Sequence, residues 1–168
     1  MAVSMYPISV PVFIKHLNGL AGCLKKAQAH YAAKKYDEAS LISHRFFPDM
    51  FNFAKQIQVM TDHAKSCTAM LAGMEAPKYE DNEKSLAELI ARLEKTVEFL
   101  KSVKPAQIDG TEDKAVTVKL RDRELNLKGL ELLLNRSLPN FYFHAATAYD
   151  ILRHNGVEIG KRDFMGAA

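Results

Sequence analysis

Four stretches of this chain repeat apolar side chains at three- and four-residue intervals, so each must hide one greasy stripe from water. The first runs from about Ser9 to Lys35, with Phe13, Leu17, Leu20, Leu24, Ala27 and Tyr31 as its stripe. Ser9 is the expected cap, and Pro11 is tolerated in the first turn. The second begins after Pro48-Asp49, where Asp49 can cap free amides, and stops at Gly73. Its stripe is Phe53, Ile57, Met60, Ala64, Cys67 and Leu71. The third spans Asn82 or Ser85 to Val103, with Leu86, Ile90, Leu93, Val97 and Leu100 inward and Pro105 beyond its end. The fourth covers about Leu130 to Asn155 and ends at Gly156.

Between the third and fourth stretches the period changes. The arms 116–120 and 124–128 alternate apolar with polar around Arg121-Asp122-Arg123, which predicts a small β-hairpin. Helices of this length are rods of roughly 30–40 Å, and packing four together buries all four stripes. The predicted fold is all-α: an antiparallel four-helix bundle with a β-hairpin between helices three and four, in one domain over 1–168. Ile159 and Phe164 in the tail are expected to pack back onto it.

Composition narrows the function. With 23 Lys+Arg against 20 Asp+Glu the net charge is only +3, and no basic stripe stands out, so nucleic acid is not an expected partner. No segment approaches the ~18 uncharged apolar residues of a membrane span, and no secretory pattern opens the chain. Cys23 and Cys67 lie in amphipathic segments outside any zinc or C-x-x-C spacing, which suits buried, reduced thiols and a cytoplasmic protein. Phosphate loops, dinucleotide fingerprints and G-x-S-x-G elbows are absent from the sequence.

What chemistry remains sits on helix four. Beside the stripe of Leu134, Leu138, Phe141, Ala145 and Leu152 runs a more polar one: Leu133, Ser137, Asn140, His144, Thr147 and Ile151. Asn140 and His144, four apart, share a face. A core histidine satisfied by a neighbouring hydroxyl or carbonyl is the commoner outcome for such a residue, ahead of a ligand site. Gln56 lies one turn before Met60 and could point into the bundle, although a boundary position with its amide at the solvent edge is slightly favoured. Gln58 is expected to face water. His63 and Cys67, four apart, read as a surface imidazole beside a packed thiol. Phe46, Phe47, Phe51 and Phe53 crowd the start of helix two, more aromatic surface than one bundle layer needs, and a homodimer would use it.

The run from Leu138 to Phe164, LPNFYFHAATAYDILRHNGVEIGKRDF, resembles an uncharacterised domain family of bacteria and fungi. So do Pro48 to Phe51 with Gln56, and Met5-Tyr6 with Val10 to Phe13. That family is similar to the DinB/YfiT-like superfamily of four-helix bundles, whose better-known members are metal-dependent enzymes, some of them thiol-dependent transferases or isomerases. The resemblance implies a divalent metal held by one histidine of helix two and an H-x-x-x-H pair on helix four, with Leu-Arg eight residues past the second histidine. Counting back from Leu152-Arg153 places His144 at that second histidine, Asn140 at the first, and Gln56 near the helix-two ligand.

Only one of three ligands is retained, so the expectation is a degenerate metal site serving as a small-molecule pocket. Its candidate residues are Gln56, Asn140, His144, Thr147 and Tyr149. His144 is the candidate catalytic group, and the candidate ligand should zinc or nickel bind weakly. An acid/base or metal-assisted transferase, isomerase or lyase acting on a small organic substrate, and a homodimeric interaction module, are the alternatives.

Overall fold

The computed structural model describes residues 3–120 and 122–166; Arg121, expected in the hairpin turn, and the outermost residues of the expected 1–168 domain lie outside them. Four long helices carry the architecture: α1 (Val10–Lys34), α3 (Phe53–Ala72), α4 (Leu86–Ser102) and α7 (Leu138–His154). Short pieces lie between them, α2 (Glu38–Ile42), α5 (Pro105–Ile108) and α6 (Gly129–Glu131), and α8 (Lys161–Phe164) follows the last and packs on α1. Strands β1 (Ala115–Lys119) and β2 (Glu124–Lys128) pair antiparallel with Thr117 opposite Asn126, as the alternation predicts. Val116 and Val118 of β1 face the core.

Helix ends follow cap chemistry, with two departures from expectation. Asn52, not Asp49, caps α3, its Oδ1 accepting from the Lys55 amide at 2.9 Å. Ser9 precedes α1 but turns its hydroxyl back, donating to the Met5 carbonyl at 2.7 Å instead of capping free amides. Ser85 caps α4 by accepting from Glu88 N–H. Gly73 ends α3 at φ 70°, a left-handed turn that glycine adopts without strain. Lys114 Nζ donates to the last carbonyls of that helix, Met70 and Leu71, at 2.9 and 2.8 Å, where positive charge is favoured.

Helix α1 packs chiefly on α4, and α3 on α7. Both pairings are antiparallel: Tyr6, before α1, meets Asp109, beyond α4, while Glu38, after α1, accepts from the first amide of α4 at Leu86; across the second, Gln56 meets His144 and Cys67 lies by Ser137, just ahead of α7. Helices α3 and α4, by contrast, run parallel. The strap 74–85 returns along α3, from Pro77 beside Lys65 to Asp81 beside Lys55, before α4 starts. Twelve extended residues reach roughly 40 Å, enough to retrace a 20-residue helix of about 30 Å.

Arg92 pins that strap. Its guanidinium, 2% exposed, meets Glu83 at 2.8 Å, Asp81 at 3.1 Å and Asp62 at 3.3 Å, while its Nε donates to Thr61. Gln58, expected in water, is buried here and donates its amide to Glu83 at 2.9 Å.

The last long helix is not uniformly α. From 129 to 154 the chain stays helical, but Leu132–Ser137 is a π-helical segment ahead of α7. Pro139, near the start of α7, has no N–H to give and its ring crowds the carbonyl four residues back, a conflict that the wider turn relieves. The Leu138 amide accordingly bonds Leu133, five residues back. Extra residues per turn rotate what precedes α7: Leu132 and Leu133 are buried while Leu134, expected inward, is 44% exposed. Phe13 and Phe141 meet edge-to-face at 4.9 Å in the core, and Phe53 is fully buried, as its place in the helix-two stripe predicts, so it adds nothing to the aromatic surface at that helix start.

Removing Arg92 leaves three carboxylates facing one another. Arg92→Met is expected to cost about 2–3 kcal/mol in urea denaturation, whereas Lys25→Met, which breaks an exposed pair, is expected to change stability by under ~0.5 kcal/mol. Equal effects would show that the strap is held by something else.

Candidate functional site

The antiparallel seam of α3 and α7 brings Gln56 to His144. The amide is oriented by its other contact: Gln56 Nε2 donates to the Phe51 carbonyl at 3.1 Å, which can only accept. Oε1 therefore faces His144 Nδ1 at 2.7 Å, and the imidazole must be the donor. This bond fixes the neutral Nδ1–H tautomer and leaves the lone pair of Nε2 unbonded among the described residues. Burial holds the His144 pKa below its ordinary value.

His144 lines an aromatic, largely apolar recess. Met50, Phe51, Phe143, Gln56, His144 and Asp49 line a cavity of about 250 Å³. Phe51 stacks on His144 at 6.2 Å between centroids and Phe143 stands edge-on at 5.1 Å. His63 also faces His144, its ring 6.1 Å away and inclined by only 15°. His63 is thus half-buried and turned to the site, not the surface imidazole expected. Burial lowers its pKa to about 4, and the neighbouring His144 and Arg136 add to the effect. Cys67 is the packed thiol expected, pushed up to about 12 by burial and inert as a nucleophile; Cys23 is buried as well, at about 11.

Three other candidates are not gathered with this pair. Asn140 turns its amide onto the Arg136 carbonyl at 2.7 Å, away from His144. Thr147 donates its hydroxyl to the Phe143 carbonyl one turn back at 2.8 Å. Tyr149 packs on Phe164 at 5.5 Å, in the layer where the tail returns to α1. In each case a backbone carbonyl or an aromatic neighbour within the same local structure wins the side chain. Of the aromatics expected at a dimer contact, Phe46, Phe47 and Phe51 are 42%, 62% and 50% exposed, and Phe51 also lines the cavity.

A divalent metal does not suit this donor set. Among the described residues no three His, Cys, Asp or Glu side chains come together at metal-binding distances. The amide oxygen of Gln56 is spent on an N–H, and Arg136 places positive charge against His63. Amide oxygen is in any case a poor partner for zinc beside imidazole.

Helical bundle, hairpin insert and a histidine on the last long helix together define a DinB-like protein. Over 97% of this chain and 92% of the other, the fold superposes on a DinB family member protein from Shewanella denitrificans, with a TM-score of 0.88 and 37% identity. Residues 5–165 match the family described as Domain of unknown function (DUF1993), and the chain belongs to that family. No curated protein matches it. Among the described residues no helix is long and apolar enough to cross a membrane.

Two neutral imidazoles make an acid-sensitive seam. The unfolded state takes up protons near the ordinary histidine pKa of 6.5, and the folded state holds out until about 4 at His63. Stability from this source is therefore full above pH 6.5 and declines as pH falls towards 4. After discounting for partial exposure, the loss is roughly 1–2 kcal/mol. Urea midpoints at pH 7 and pH 4.5, compared between wild type and His63→Phe, should show a smaller pH dependence in the variant. An unchanged dependence would contradict a buried, neutral His63.

Proposed function

We propose that this chain is a small-molecule-binding DinB-like protein, and that the recess beside His144 is where the ligand enters. The observation that carries the reading is the chain of bonds from the Phe51 carbonyl through Gln56 to His144. It leaves Nε2 of His144 as a hydrogen-bond acceptor beside a mostly apolar wall, with the Asp49 carboxylate at the same cavity. An apolar cavity with a few placed polar groups is the usual form of a small-molecule site. The favoured ligand offers a flat apolar body and a hydroxyl or N–H to donate. The two buried thiols favour a reducing, cytoplasmic setting.

A second reading has the same observation behind it. A neutral imidazole whose tautomer is fixed is equipped to take a proton, so His144 would be the general base of an isomerase or lyase acting on the bound molecule. Gln56 is then a positioning residue. Metal-assisted chemistry has less support, because no three His, Cys, Asp or Glu side chains gather around His144 among the described residues. Homodimerisation keeps Phe46 and Phe47 as its support.

p-Cresol serves as a probe of the ligand class. It is expected to shift the ring signals of His144, Phe51 and Phe143 in NMR titration, and His144→Phe should weaken its binding about fivefold, the loss of one ordinary hydrogen bond of about 1 kcal/mol. Absence of shifts at these rings, or equal affinity in the variant, would overturn the reading.

A further inference from the structure

We infer that the cavity on the hairpin side of His63 is an anion-binding extension of the same site, so that the natural ligand is an organic monocarboxylate with an apolar body. The inference rests on the pocket reading above and names its ligand class. The cavity measures about 190 Å³ and gathers donors from three elements: Arg136 and Ser137 from the π-helical segment, Ser66 from α3 and Lys119 from β1. His63 lines this cavity and His144 the apolar one, and their rings face each other at 6.1 Å.

Arg136 is the key donor. Arg92 is surrounded by carboxylates, but Arg136 forms no ion pair among the described residues, so its planar fork is available to a guest. The segment that presents it is π-helical, and π-helical turns recur at functional sites. Leu132, Arg136 and Ser137 all reach the cavity because the wider turn brings residues four and five apart to one side. The carboxylate of Asp62 also borders this space, yet it is taken up by Lys65 at 3.0 Å and Arg92 at 3.3 Å. Its remaining negative charge suits a singly charged guest better than a phosphate dianion.

Two probes of matched shape test the idea on the full chain: 3-phenylpropionate and 3-phenylpropan-1-ol, titrated while the His63 and His144 ring signals are followed. The acid is expected to bind about tenfold more tightly than the alcohol, as a charge-assisted bond exceeds a neutral one. Arg136→Gln should erase that advantage while leaving the affinity for the alcohol unchanged, which also shows that the variant is folded. Equal affinity for acid and alcohol in the wild type, or a preference that survives in Arg136→Gln, overturns the anion site. If that happens while p-cresol still binds beside His144, this inference falls alone. If p-cresol and both phenylpropyl probes leave the rings unmoved, the pocket reading falls with it.

Discussion

The seam between α3 and the helical run from 129 to 154 is the constraint on which the rest of the molecule depends. At one end Gly129 lies so close to the Thr111 carbonyl and the Leu71 side chain that a Cβ would collide with both. Midway, Cys67 packs beside Ser137; at the far end Gln56 bonds His144. Because the two helices run antiparallel and in contact throughout, a change of register at any of these points displaces the others. The strap held by Arg92 fixes α3 from its opposite side, through Thr61, Asp62 and Gln58. Hydrophobic burial along the four stripes supplies the driving force, and these polar and steric contacts select one alignment from several that would bury the same apolar surface.

That alignment gives the imidazole its chemistry. A histidine in an apolar bundle could hold its proton on either nitrogen, and water would make both forms available. Here the carbonyl of Phe51 orients the amide of Gln56, and the amide orients the ring. Burial then keeps the ring uncharged. One amide, held by a backbone carbonyl on one side, thus orients a single neutral base on the other.

Much of this was legible in the sequence because helical periodicity reports directly on burial. The stripes through Phe13, Ile57, Leu93 and Phe141 all face the core, and alternation at 116–118 marks the hairpin. Long-range partnerships are a different matter. Gln56 and His144 are 88 residues apart, and nothing local to either distinguishes a solvent-edge amide from a buried one. His63 offered a signal that was available: it follows Gln56 by two helical turns, so both lie on one face of α3. Asn140 and Thr147 share the side of α7 with His144 but satisfy themselves on carbonyls one turn back, a local competition that spacing alone does not reveal. The π-helical segment defeats strict periodicity at Leu134, although Pro139 in the midst of a helical pattern marks where the break falls.

The state of the His144 ring tests the account most directly. Long-range proton–nitrogen NMR spectra of the 15N-labelled protein at pH 7 distinguish the two neutral tautomers and the imidazolium. The account requires Nδ1 to carry the proton and Nε2 to be bare in the wild type, with Gln56→Leu shifting the population towards Nε2–H. A wild-type ring protonated on Nε2, or on both nitrogens, would contradict it.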